Sequence, residues 1–554
     1  MRWIVKGWAR LKRCCERGLL GRMPDAYPGL VLIATVLSLA TAGSLTLLVW
    51  QLHAAPAENS DASVGSLHVD VQDAGNRQRV AARCYLTDES GKPWTPAGAF
   101  TYDKRQEHHF ITQGAFEIAV PPGRYLLRVE RGPEYQPWEA RLTLQSGKTH
   151  SETVHLTRWI DMNQRGWFSG DLHNHRPPEQ IATLLLAEDL NLAPVIADWV
   201  WEDRQRSNPP ATADPFRKVD PTHVYSLLDK EVERLKEGPG AVDLLGLKSV
   251  VPFEGYRLYP PNDRFCDAAH AQGGYVDAEK IVWRDIAALV ALGHIDFAGI
   301  VHNHFNRHDL EFETDSWGMI PKDRPEFNTV AGMPLWSMEV YYRFLNCGFR
   351  LPVSAGSASG VKAAPLGYSR VYVKTQKAFS YNMWFEALKQ GRSFATNGPM
   401  LFLKVDGNEV GSTLNLGKRR PVSVNIEVEA ATILPLDRVE VLFKGRIVHT
   451  IRAPDSSGKW HARFTSEVGE SGWFVARCFE RAGSTIRFAH TSPIYLRFDG
   501  DTGIAAQDAQ FLLKWIEREI AFYRAEPGFK EPSHREEMIA LFQKAKAVYE
   551  NLAK

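Results

Sequence analysis

The stretch GWFSGDLHNHRPPEQ, residues 166–180, sets an aspartate directly before two histidines that are two positions apart. On an extended strand His173 and His175 share one side, with Leu172 and Asn174 on the other. Two imidazoles converging on one point suit a divalent metal, and Asp171 is placed to ligate it or to orient a ligand. An HxH pair alone is weak evidence and more often marks ordinary surface or core histidines. Its surroundings have to decide.

Between about 160 and 400 short apolar strands alternate with helical stretches. IATLLLAEDLNL reads as a helix before the strand APVIADW. LKSVVPFEG reads as a strand, DAAHAQ as a helix, GGYVDAEK as a strand, RDIAALVALG as a helix and FAGIVHNH as a strand. Repeated βα units of this length predict a parallel sheet closed into a barrel, with polar residues collected at the C-terminal strand ends. Those ends carry Asp171, His173 and His175, then Asp198, Glu254, Asp277, Glu279, Lys280, His302 and His304. Two HxH pairs on separate strands, with a carboxylate between them, form an N/O ligand set that suits Zn, Mn or Fe better than Ca or Mg. His108 and His109 read as a loop pair.

Either side of this region the apolar residues alternate with period two. Leu67, Val69 and Val71 do so, as do Phe116, Ile118 and Val120, then, past a PPG turn, Tyr125, Leu127 and Val129. This predicts a β-sandwich over 64–158. Val422, Val424, Ile426 and Val428, with Val439, Val441 and Phe443 before a KGR turn, predict a second sandwich over 401–498. Residues 499–554 read as two amphipathic helices packed on a neighbouring domain. Leu512, Ile516, Ile520 and Tyr523 form one stripe, and Met538, Phe542, Ala545, Val548 and Leu552 the other. Ser533 and Glu536 look like a capping box for the second helix.

The 554 residues carry a net charge of +1, which gives no reason to invoke nucleic acid. The first 25 hold seven Lys or Arg against Glu16 and Asp25, making residues 1–27 a basic head. Residues 28–50, PGLVLIATVLSLATAGSLTLLVW, carry no charge. About 23 helical residues reach roughly 34 Å, enough to cross a bilayer. The basic flank stays cytoplasmic, so the expectation is a single-pass anchor with residues beyond the 51–63 linker exported. LHAAPA after the apolar run leaves a cleaved signal peptide, and hence secretion, as the alternative. Cys84, Cys266, Cys347 and Cys478 lack CxxC spacing and read as buried apolar cysteines.

Several motifs together carry a family resemblance. GDLHNH is similar to the first motif of the PHP (polymerase and histidinol phosphatase) metallohydrolases. LNCGFRLPVSAGSASGV, GYSRVYVKT, WFEALKQGRSFATNGPMLFLKVDG and AHTSPIYL resemble the CehA/McbA-type, carbaryl-hydrolase-like branch, over about residues 163–496. PPGRYLLRVERG similarly resembles carboxypeptidase-regulatory-like domains, which are usually non-catalytic. The PHP resemblance implies a distorted (β/α)7 barrel over 159–400, a cluster of up to three metals, and hydrolysis of phosphate or carboxylic ester bonds. It carries family ligands onto His173, His175 and Glu254, with His302 or His304 matching a later one.

Three motifs depart from that family. ADW (Ala197, Asp198, Trp199) stands for TDH, DAEK puts Glu279 or Lys280 where a histidine belongs, and GSASG puts Ser357 and Ser359 in place of strong ligands. The expectation is therefore one or two transition-metal ions, held from among His173, His175, Glu254, Glu279, His302 and His304. Asp171, Lys280, His302 and His304 are the candidate catalytic residues, and Arg307, Arg343 and Arg350 candidate anion binders. The function expected is a membrane-anchored, metal-dependent hydrolase of a small ester or phosphoester. A degenerate barrel that binds a ligand or partner without turnover is the alternative, and a scaffold with core histidines a third.

Overall fold

A computed structural model of the chain describes residues 64–554, except 312–319, 376–378 and 453–457. The basic head, the apolar span at 28–50 and the linker lie outside the described residues. Among those described, no helix is long and apolar enough to cross a membrane. They form a mostly β protein of several sheets with seven α-helices.

The first alternating region is a two-sheet sandwich. β1 (Gly65–Asp73) lies between β5 (Ala115–Val120) and β8 (Thr149–Leu156). The facing sheet runs in the order β3 (Phe100–Lys104), β4 (Glu107–Thr112), β2 (Ala82–Asp88), β6 (Gly123–Glu130), β7 (Trp138–Leu144). Leu67, Val69 and Val71 from one sheet meet Cys84, Leu127 and Val129 from the other in a single core, as alternation demands. His108 and His109 are not a loop pair: both stand in β4, where His109 is buried and bonded to Glu107 at 2.8 Å.

Beyond it a ring of seven strands closes: β9 (Trp167–Gly170), β10 (Leu192–Trp201), β13 (His223–Arg234), β14 (Gly240–Leu245), β15 (Tyr275–Ala278), β16 (Phe297–Val301) and β17 (Val353–Ala355). Neighbours pair parallel except at β14, which is antiparallel to both β13 and β15. The chain just past β9 completes the ring. Leu172 N donates to Ala355 O at 3.1 Å, Ala358 N to His173 O at 2.7 Å and His175 N to Ser359 O at 2.8 Å. On the other side Asp171 N reaches Leu192 O at 3.1 Å and Ile196 N reaches Asn174 O at 2.8 Å. Helices α1 (Pro178–Ala187), α2 (Asp263–Ala271), α3 (Ile286–Ala291) and α4 (Met333–Asn346) fill four of the connections.

Two expectations for this region are corrected. The sheet is not uniformly parallel, because β10 passes through β11 (Arg204–Gln205) and β12 (Phe216–Asp220) to β13, and β13 turns directly into β14. LKSVVPFEG is a loop rather than a strand. Pro252 removes a ladder donor there, and the carbonyls that follow are taken by a buried side chain: the Arg234 guanidinium donates to Pro260 O at 2.5 Å.

The C-terminal strands do form two packed sheets, but one of them continues the barrel. β18 (Arg370–Lys374) pairs with β9, and β19 (Ser393–Thr396) pairs with both β18 and β28 (Phe488–Thr491). That sheet extends through β27 (Gly472–Glu480), β24 (Leu436–Phe443), β25 (Arg446–Arg452), β29 (Ile494–Phe498) and β22 (Thr413–Gly417). Against it packs the sheet β21 (Asn408–Glu409), β20 (Met400–Val405), β23 (Val422–Thr432), β26 (Gly458–Val468). Val424, Ile426 and Val428 share a core with Val439 and Val441. α5 (Tyr381–Lys389) sits between β18 and β19 and buries Trp384 against Gly170.

α6 (Ala506–Ala525) and α7 (Pro532–Leu552) pack on the barrel through α3. The Tyr549 hydroxyl donates to Ala287 O at 2.7 Å, Trp515 Nε1 to Arg284 O at 3.1 Å, and Arg284 pairs with Glu519 at 2.8 Å. Ser533 is no cap: α7 starts at Pro532, whose missing N–H costs nothing in a first turn, and no side chain caps it. The four cysteines within the described residues are free and buried. Because the buried faces of α6 and α7 belong to the barrel's own core, Phe542→Ala should cost about 3–5 kcal/mol in a single urea transition. A loss below about 1 kcal/mol would show that the helices contribute little to it.

Candidate metal centre

The seam that closes the ring also builds the site. Its two strands run so close that a Cβ on Gly356 would stand 2.3 Å from His173 Cβ, and one on Gly360 would stand 2.6 Å from the His175 carbonyl. The glycines of GSASG are there for that approach. Asp171, fully buried, clamps the seam with both carboxylate oxygens. It accepts from Ser357 N at 2.9 Å, Gly367 N at 2.7 Å, His173 N at 3.2 Å and the Ser357 hydroxyl. With its oxygens so engaged, Asp171 orients the backbone that carries the histidines. Burial raises its pKa against those donors.

Held this way, the two imidazoles converge. Their Nε2 atoms lie 2.9 Å apart, and Glu231 from β13 faces both, at 3.5 Å from His173 and 3.1 Å from His175. One ligand atom from each of the three falls within 4.8 Å of the others, close enough to hold a metal ion. The other face of His173 meets acids: Nδ1 is 3.4 Å from Asp243 on β14 and 3.5 Å from Glu279 after β15. Glu279 is itself held by Lys280 and by Trp283 Nε1 at 2.8 Å.

Negative charge dominates this interior. Burial alone would lower His173, but Asp243, Glu231 and Glu279 outweigh it and push its pKa up to about 10. Burial pushes His175 down, with Glu231 opposing. Burial would raise Glu231, yet the two histidines hold it below the ordinary carboxylate range. Asp243 is raised well above that range by burial and by Glu231 and Glu279. Both its oxygens are buried without a hydrogen-bond donor among the described residues. A pocket that forces a proton onto a histidine and leaves a carboxylate unsolvated beside it is suited to a cation.

Of the residues singled out in the sequence, the structure joins His173, His175 and Glu279 in one cluster with Lys280 beside them, and sets Asp171 behind. His302 and His304 are buried at the end of β16, near enough that Lys280 depresses both pKa values after burial, and His173 adds to the effect on His304. His302 Nε2 lies 3.4 Å from the Ser337 hydroxyl. Neither histidine falls within the three-residue ligand group. Glu254 is corrected: it is exposed on the loop before α2, and Glu231 supplies the carboxylate expected of it. The altered motifs are also accounted for. Asp198 is paired with Lys230 at 2.8 Å, and the Trp199 ring packs 4.9 Å from that of His175. Arg307 pairs with Glu130, Arg343 with Glu339 and Asp508, and Arg350 donates to Thr413.

Glu231 and Asp243 went unread because the sequence between 200 and 245 has no βα rhythm. The available signal was DKEVE at 229–233, five residues of strand period in which nearly every side chain is charged. A buried strand tolerates that only if each charge is answered. Here Lys230 meets Asp198 and Glu231 meets the histidines.

No family model matches the chain, and no curated protein matches it. Solved structures align over short parts. A minor pilin of Streptococcus agalactiae, GBS52, is 20% identical over 18% of this chain and 46% of its own, with a TM-score of 0.15. The Bacillus anthracis TIE protein is 17% identical over 20% of this chain and 19% of its own, with a TM-score of 0.14.

Glu231→Gln should weaken zinc binding by at least about tenfold, read by competition with a chromophoric chelator; unchanged affinity would remove Glu231 from the ligand set. Metal-stripped protein should also show a pH signature. A histidine raised from 6.5 to about 10 on folding adds stability that is complete below pH 6.5 and lost as pH rises through 10. Urea midpoints between pH 6.5 and 10 should fall in the apoprotein, and fall less steeply in His173→Gln.

Proposed function

We propose that this chain is a metal-dependent hydrolase of phosphate or carboxylic ester bonds, with a PHP-like barrel of the CehA/McbA type around the His173–His175–Glu231 group. The convergence of those three side chains within 4.8 Å, at the motif that resembles the family's first, is the observation that carries the reading. The donor set of two imidazoles and one carboxylate suits Zn, Mn or Fe, one or two ions in number. Asp243 and Glu279 are the nearest carboxylates for a second ion. A bound ion of this kind lowers the pKa of a coordinated water and polarises the scissile oxygen.

The chain's own residues supply the rest. Asp171 fixes the backbone between the two ligands, and so their spacing. Burial and the nearby Lys280 hold the His302 and His304 pKa values well below the ordinary imidazole range, so each ring is neutral and of the kind that can accept a proton from a nucleophilic water. Lys280, paired with Glu279, carries the positive charge to meet an anionic substrate oxygen. The apolar span at 28–50 would anchor the protein with this barrel exported, or leave it secreted if cleaved.

A binding protein without turnover is the second reading, and one observation favours it. Trp199 and Ser357 stand where the resemblance expects further ligands, and both are committed elsewhere, Trp199 to Glu233 at 3.2 Å and Ser357 to Asp171. Metal analysis of purified protein, followed by a panel of phosphodiester, phosphomonoester and carboxyl-ester substrates, separates the two. The hydrolase predicts stoichiometric transition metal and turnover that falls at least about a hundredfold in His173→Ala. Metal without turnover would leave the binder, and absence of metal would end the hydrolase reading.

A further inference from the structure

We propose that the N-terminal sandwich is a working part of the metal centre, with Tyr102 of β3 as a positioning residue for the His175 segment. This role rests on the His173–His175–Glu231 group holding a metal ion, and extends that reading to a part of the chain that supplies none of the three side chains.

Tyr102 reaches from the sandwich to the seam that closes the barrel. It is 6% exposed, and its hydroxyl accepts from Gly360 N at 2.8 Å and donates to Lys362 O at 2.5 Å. The same short stretch meets the histidine. His175 N donates to Ser359 O at 2.8 Å, and a Cβ on Gly360 would stand 2.6 Å from the His175 carbonyl. Residues 359–360 are therefore held between the Tyr102 hydroxyl and the backbone of a candidate ligand. The ring contributes as well. The Arg176 guanidinium, on the residue after His175, lies 4.5 Å from the ring centre, within cation–π range. His109, bonded to Glu107 at 2.8 Å, stacks on the same ring with centroids 5.2 Å apart.

The same sheet of the sandwich also grips the chain after the second histidine pair. His308 Nε2 lies 3.0 Å from Glu107, and Arg307 donates to the Tyr85 hydroxyl at 2.5 Å and pairs with Glu130 at 2.6 Å. His302 and His304 come just before these residues. Strands β2, β3, β4 and β6 thus tie down the segments that follow both HNH runs, at 173–175 and at 302–304. Hydrogen-bonded contacts of this kind, made in a poorly solvated junction, rigidify what they join. Residues that fix a ligand's orientation without touching the metal commonly change its affinity by about tenfold or more when altered. Tyr102 is placed to do so through Gly360.

Tyr102→Phe tests the proposal, since it keeps the ring and removes only the hydroxyl. Zinc affinity, read by competition with a chromophoric chelator, should fall about tenfold. In metal-free protein, amide hydrogen exchange over 171–176 should quicken, because the His175 N–H opens more often once its partner strand is loosened. Leu127→Ala, which hollows the sandwich core and leaves the seam contacts in place, is the control for general stability. It should lower the urea midpoint and leave zinc affinity within about twofold of wild type. Unchanged affinity or unchanged exchange in Tyr102→Phe overturns the proposal, as does an equal loss of affinity in Leu127→Ala. Wild-type protein that binds no zinc overturns the metal reading together with it. Zinc bound alike by wild type and Tyr102→Phe overturns the role of Tyr102 alone.

Discussion

The contact between residues 171–175 and 355–360 is the constraint on which the rest depends. It is the last seam of a seven-stranded ring, and the same few residues present His173 and His175, two of the three side chains that could hold a metal ion. A backbone approach this close leaves no room for side chains at Gly356 and Gly360. It also needs a buried carboxylate to hold the loop's donors, which Asp171 provides. Closing the fold and aiming the imidazoles are therefore one event. A residue that loosened the seam would misplace both ligands together.

Charge inside the ring follows from that closure. A closed barrel is normally filled with apolar side chains, and here β13 and β14 bring Glu231 and Asp243 inward beside His173. Each buried charge on β13 has an answering group, except where the cluster is short of positive charge. The deficit lies at the histidines and Asp243, where a cation would restore the balance.

Much of the fold was legible in the sequence because one physical signal, periodicity, reports burial directly. Leu67, Val69 and Val71 alternate in the sequence and lie in one core; so do Val424, Ile426 and Val428. Leu512, Ile516 and Ile520 recur at helical spacing and face the barrel. The signal failed where side chains obeyed a different rule. LKSVVPFEG has the apolar content of a strand, but its proline and the pull of Arg234 on the following carbonyls leave it a loop. β13 carries charges that look solvated in the sequence, and Lys230 and Glu231 are buried against Asp198 and the two histidines.

The sequence alone settled the periodic local matters: which regularly patterned segments extend or coil, where the histidine pair sits, and which glycines punctuate the turns. Such features depend on near neighbours along the chain, so they are written in order. Which carboxylate joins the histidines was decided by tertiary structure, and Glu254 gave way to Glu231. The antiparallel β14, the fusion of the C-terminal sheet with the barrel through β19 and β28, and the contact of Tyr102 with Gly360 were decided the same way. Each of these joins residues tens to hundreds of positions apart. Only the closed fold brings them close enough to act on one another.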